Sequence, residues 1–140
     1  MEYDCPLFVS SSEYALSALD EIDARARRLF PAIPMDSLRL RRDVAGVSML
    51  YSMIQGPTLK LVSQMIDIKP LHVARTTRTN EAANLAALTI PKSRTAAHGR
   101  SFLPHYVCLW NTLGNETVFA RSVQDFKRSA SRELRSRCPK

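Results

Sequence analysis

The sequence predicts a mainly α fold: a small helical domain made of an antiparallel α-hairpin and two or three further helices, with room for a short β-hairpin in residues 75–103. Three observations lead there. Along two long stretches of the first half, apolar residues recur at three and four, the period of a helix rather than a strand. Each stretch opens on Ser or Asp and closes at Pro or Gly-Pro, the residues that start and stop helices. The chain has 140 residues, 45% of them hydrophobic, which suits one packed core and no second one. Residues 1–137 therefore read as a single domain and 138–140 as a frayed tail.

The first helix is expected in "SSSEYALSALDEIDARARRLF". Ser10 and Glu13 have capping-box spacing. Leu16, Leu19, Ile22, Ala26 and Leu29 form one apolar face, and the acids Asp20, Glu21 and Asp23 precede the bases Arg25, Arg27 and Arg28, as the helix dipole favours. "PAIP" ends it. The second helix is expected in "DSLRLRRDVAGVSMLYSMIQGP", capped by Asp36 or Ser37. Its stripe is Leu40, Val44, Val47, Tyr51 and Ile54, widened by Leu50 and Met53, and it stops at Gly56-Pro57. A short proline linker between two such helices predicts the α-hairpin. Gly46 inside the second helix costs about 1 kcal/mol relative to Ala, which points to a close neighbour there, with the first helix as the candidate.

"TLKLVSQM" fits a short third helix. Periodicity then fades, and Thr76, Thr77, Thr79, Asn80 and Asn84 read as loop. "LAALTI", before Pro91, fits a short strand or a helical turn, and strand is the expectation adopted. Pro104 fits position N1 of a helix that runs through Trp110 and stops near Gly114. On it Phe102, Tyr106, Leu109, Trp110 and Leu113 share one face, a core spacing rather than a stacking platform. The last helix is expected to start at Ser122, with Val123, Phe126, Ala130 and Leu134 inward.

Charge is unevenly distributed. Residues 1–74 hold eight basic and nine acidic side chains, whereas residues 75–140 hold twelve and four, so the whole net charge of +7 comes from the second half. A basic half of this kind favours a polyanion through counterion release. The candidate contacts are Arg75, Arg78, Lys92, Arg94 and Arg100, in Ser/Thr-rich stretches able to bond phosphates, with Arg121, Lys127 and Arg128 further on. On charge alone the expected partner is a polyanion, most often nucleic acid, and the alternative is a basic solvated surface with no partner. Aromatic residues are 7% of the chain, too sparse for a base-stacking platform.

No catalytic, metal or cofactor pattern emerges. The acidic cluster at Asp20, Glu21 and Asp23 reads as a solvated face, and no Asp-Asp pair occurs for divalent-metal chemistry. His98, His105 and Cys108 lack a nearby fourth zinc ligand, and the expected arrangement is a packed Cys108 with a surface His105. The four glycines are scattered, so no phosphate-cradling loop is present. Three widely spaced cysteines (Cys5, Cys108, Cys138) and a start without a secretory leader predict an intracellular location, nucleus or cytoplasm, and not secretion. No apolar run reaches the ~18 residues of a membrane span.

Several phrases occur together in a recognisable order: "DSLRLRRDVAGVSMLYSMIQG", "RTTRTNE", "IPKSRTAAHGRSFLPHYVCLWNTLGNETV" and "SVQDFKRSASREL", preceded by "LDEIDARARRLF". Together they resemble the segment that follows the polymerase domain in reverse transcriptases of jockey-like non-LTR retrotransposons. The matching positions are Arg41 to Ala45 with Leu50-Tyr51, Arg75 and Arg78, Ser93 to Thr95, Arg100 to Phe102, Pro104, Leu109 to Asn111, and Phe126-Lys127. The resemblance covers about residues 5–135. Gly114 stands where the family commonly has proline and His98 where it has an aromatic, which implies a drifting copy. The resemblance further implies that the catalytic aspartates of the RNA-directed DNA polymerase lie in an upstream domain, which would be a natural partner. This chain, as a C-terminal fragment, would have no polymerase activity. Two functions follow: a nucleic-acid-binding accessory segment, for which charge and resemblance together make RNA or single-stranded DNA the expected partner, or a structural packing domain without a ligand, from a truncated or non-functional gene copy.

Overall fold

A computed structural model describes residues 11–55 and 84–137. Within them lie six helices: α1 (Glu13–Leu29), α2 (Leu38–Gln55), α3 (Ala96–Gly99), α4 (Phe102–Asn111), α5 (Asn115–Val118) and α6 (Val123–Arg137). The fold is mainly α, and no strand forms among the described residues. Ser10, the "TLKLVSQM" helix, the Gly56-Pro57 stop, the loop at Thr76 to Asn80, Arg75, Arg78, Cys5 and Cys138 lie outside the described residues.

The central element is α2, which packs against α6 on one side and α4 on another. Its stripe works as its spacing predicts: Leu40, Val47, Leu50, Tyr51 and Met53 are buried, and Val44 and Ile54 are partly so. Phe126, Ala130 and Leu134 of α6 close over them, while Val123 stays 38% exposed at the helix start. The centre is aromatic. Phe126 stacks on Tyr51 with ring centroids 4.4 Å apart and on Trp110 at 5.7 Å. Trp110 is 1% exposed, so it is core, with Tyr106 and Leu113 buried beside it and Phe102 and Leu109 half-buried on the same face.

Gly46 is a close approach, but not to α1. A Cβ built there would lie 1.9 Å from Cζ of Tyr106 on α4. The tyrosine ring lies over the bare backbone and its hydroxyl donates to the Arg42 carbonyl at 3.3 Å. Glycine thus lets α2 and α4 come within ring thickness of each other.

The α-hairpin is antiparallel, and the apolar face expected of α1 is only partly covered: Leu16, Leu19 and Ala26 are half-buried, whereas Ile22 and Leu29 are 63% and 75% exposed. No residue of α1 is fully buried. The hydrogen-bonded contact runs through the acids. Asp20 accepts from Arg42 at 2.7 Å, and Asp23 accepts from Arg41 at 2.9 Å, from Arg27 at 2.9 Å and from the Leu38 N–H at 3.0 Å. From Asp20 to Asp23 the partners step back from Arg42 to Leu38, which is antiparallel order. Asp23 therefore sits at the N-terminus of α2, where orphan N–H groups and the helix dipole attract a negative charge. Asp20 and Asp23 thus form a clasp, whereas Glu21 stays on the solvated face as expected. Burial pushes the Asp23 carboxyl up, but the Leu38 N–H, the Arg27 hydrogen bond and the charges of Arg27 and Arg41 outweigh it and hold the group below its ordinary value.

Helix starts differ from expectation by a turn or less. Ser12 caps α1 by accepting from the Ala15 N–H. Ser37 caps α2 through the Leu40 N–H. α4 starts at Phe102 after Ser101, so Pro104 stands inside the first turn, where its missing N–H still costs nothing. Ser122 caps α6 as expected, accepting from the Asp125 N–H and donating to its carboxylate. Gly114 precedes α5, and its N–H donates to Glu133 of α6 at 2.9 Å.

Residues 84–90 form no helix and no extended strand, and Leu88 alone makes a single β-bridge. Side chains hold them instead. The Asn111 amide donates to the Leu88 carbonyl and accepts from the Leu88 N–H, both at 2.8 Å. The Trp110 indole donates to the Ala86 carbonyl at 2.9 Å, and Asn84 donates to the Trp110 carbonyl at 2.8 Å. The Trp-Asn pair thus satisfies backbone groups of this segment from side chains.

Candidate nucleic-acid interface

The described part of the predicted site is Lys92, Arg94 and Arg100, all exposed. They flank α3, a single turn built by its own polar residues. Thr95 accepts from the His98 N–H at 3.2 Å, Ser93 Oγ lies 3.1 Å from His98 Nδ1, and Ser101 donates to the His98 carbonyl at 2.6 Å. These hydroxyls are therefore engaged in shaping the turn, which leaves the cations as its outward-facing chemistry.

Arg100 borders a cavity of about 330 Å³ between α1, α2 and α4. Arg39 and Arg42 line it, but so do Glu13, Asp20 and Asp43, and His105 lies 3.8 Å from Asp43. Its charges are mixed, so it offers an anion no strong field. Cys108 and His105 are both exposed, which corrects the packed cysteine. On α4 the buried residues are Pro104, Tyr106, Val107 and Trp110, and Cys108 falls on the outward side. Among the described residues no group of three or more His, Cys, Asp or Glu side chains could hold a metal ion. None of the described helices is long and apolar enough to cross a membrane.

A second basic surface lies on α6. Lys127, Arg128, Arg132 and Arg135, with Ser131, line an open groove of about 720 Å³ whose other wall includes Val44 of α2. They recur on the half of α6 left free by Phe126, Ala130 and Leu134. Arg135 pairs with Asp36, and Arg128 lies 4.0 Å from the exposed Asp125, whereas Lys127 and Arg132 make no ion pair among the described residues. Sequence reading reached Lys127 and Arg128 but not Arg132 or Arg135. The available signal was the recurrence of bases at four and five residues on a helix whose apolar stripe was already assigned.

The two halves handle their charge differently. In the first half Arg25, Arg27, Arg41 and Arg42 pair with Glu21, Asp23 and Asp20, and Arg28 and Arg39 are exposed without an ion pair among the described residues; in the second half Arg128, Arg135 and Arg137 pair with Asp125, Asp36 and Glu133. Lys92, Arg94, Arg100, Arg121, Lys127 and Arg132 are exposed without an ion pair among the described residues. No protein-family model, curated protein or solved structure matches the chain.

Proposed function

We propose that this chain is a nucleic-acid-binding accessory segment, similar in origin to the part that follows the polymerase domain of a non-LTR retrotransposon reverse transcriptase, and that it carries no polymerase chemistry of its own. The observation that supports binding is the group of outward cations in the second half, Lys92, Arg94, Arg100, Arg121, Lys127 and Arg132, that make no ion pair among the described residues, against Arg28 and Arg39 alone in the described first half. Unpaired surface cations release phosphate counterions without first breaking an intramolecular bond, so they contribute fully to polyanion affinity. The test is anisotropy of labelled RNA and single-stranded DNA titrated with the 140-residue protein. Binding at about 50 mM salt that weakens steeply towards 200 mM is expected; absence of binding at the lower salt refutes the reading. Primer extension with Mg²⁺ by the same protein would refute the non-catalytic part.

A second reading, a packing domain with no ligand, is supported by the outer face of α1 and the linker after it. Tyr14, Ile22, Leu29 and Phe30 are 85%, 63%, 75% and 57% exposed. A sizing column separates the two: a monomer that binds nucleic acid supports the first reading, and a dimer that does not bind supports the second.

A further inference from the structure

We infer that the α6 groove is the principal seat of a nucleic-acid strand, held by its phosphodiester backbone against Lys127, Arg128 and Arg132. The inference rests on the nucleic-acid reading above and names its surface. Three features carry it. No carboxylate lines the groove itself, although Asp125 lies 4.0 Å from Arg128 and Asp36 holds Arg135, whereas Arg100 borders a cavity that Glu13, Asp20 and Asp43 line directly. The basic residues are ordered on one rigid helix rather than spread along a turn-rich segment. Their reach also fits: Lys127 and Arg135 are eight residues apart, about 12 Å of helix, long enough for the row to meet more than one phosphate of a single strand.

The groove lining has no aromatic side chain, and its one apolar member is Val44. With nothing to stack on a base, the strand is held by charge and by the Ser131 hydroxyl, and the site is indifferent to sequence. Arg135 contributes less than its position suggests, because Asp36 already holds it.

The experiment compares two variants of the full chain that each lose three positive charges: Lys127→Gln/Arg128→Gln/Arg132→Gln and Lys92→Gln/Arg94→Gln/Arg100→Gln. All six residues are exposed, so both variants should fold, which Trp110 emission checks. The probe is a labelled 20-nucleotide oligouridine strand, followed by oligoadenosine. The groove variant should bind oligouridine between about ten- and a hundredfold more weakly at 0.1 M salt and lose roughly 2 from the slope of log K against log salt, at ~0.7 per phosphate contact. The α3 variant should lose less than half as much, and the two strands should bind alike. Equal loss in both variants means net charge alone and overturns the assignment, as does greater loss in the α3 variant or a strong preference between the strands; the nucleic-acid reading survives all three. If the unmodified chain binds neither strand, both fall.

Discussion

Replacing Gly46 with alanine should destabilise the domain, although alanine is the better helix former. Intrinsic preference alone would favour the substitution by about 1 kcal/mol. Against that, the new methyl would stand 1.9 to 2.3 Å from three ring atoms of Tyr106. Ordinary contact needs ~3.5–4.0 Å, so the ring would have to retreat by about 1.5 Å. Tyr106 has no exposed surface and cannot swing outward. Overpacking of a filled core costs typically 1–3 kcal/mol, and a rigid buried ring places this site at the upper end. The net loss is then about 2 kcal/mol. With ~2.1 cal/mol/K per residue, the 140-residue chain should melt about 7 °C lower. Thermal unfolding followed by circular dichroism measures this. A double-mutant cycle with Tyr106→Leu sharpens it: without the ring, the alanine should cost much less, or stabilise. A Gly46→Ala variant that melts higher than the parent would refute the close approach of α2 and α4.

Trp110→Ala should lose ~3–5 kcal/mol, the range for a large core side chain, and leave little cooperative unfolding; an unchanged melt with lost RNA binding would instead place the indole at the interface. Asn111→Ala should cost about 1–3 kcal/mol through the stranded Leu88 groups and speed hydrogen exchange at the Leu88 amide, whereas unchanged exchange would show that the amide pairing is dispensable. Asp23→Ala removes three hydrogen bonds to one carboxylate and should cost about 2–3 kcal/mol, read as earlier denaturant unfolding. Because the folded Asp23 is held below 3.8, the unfolded chain takes up its proton first as pH falls, so this contribution is complete above that pH and is lost on descent through the lowered folded value. A parent and an Asp23→Ala variant that differ as much at pH 2 as at pH 7 would contradict it.

The sequence made the stripes of α2 and α6 legible because burial on a helix repeats at a fixed period, and Val47, Tyr51, Phe126 and Ala130 follow it. Its partial success on α1, where Leu16, Leu19 and Ala26 are half-buried but Ile22 and Leu29 are exposed, has a physical cause. Periodicity finds a helix's apolar face but cannot say how far complementary charge turns that face when the helix docks. Arg41, Arg42 and the Leu38 N–H, which attract Asp20 and Asp23, belong to another element. The same holds for Asn111: nothing local tells that an amide will serve the backbone of a residue 23 positions away. Of the interface, Lys92, Arg94 and Arg100 were found as charges in polar company. The α6 row was only half seen, because its spacing matters once the opposite face is known to be buried.

Trp110 is the chain's single tryptophan, and its neighbours Tyr51 and Phe126 come from α2 and α6 while it belongs to α4. The molecule therefore carries a built-in optical gauge. One emission band reports whether three helices, brought together from distant parts of the sequence, are in register. A folded chain should emit at short wavelength with light passed on from Tyr51, and separation of any of the three helices should shift the band towards red. Every variant described above except Trp110→Ala can be followed through that band without a label, including while it is mixed with an unlabelled strand.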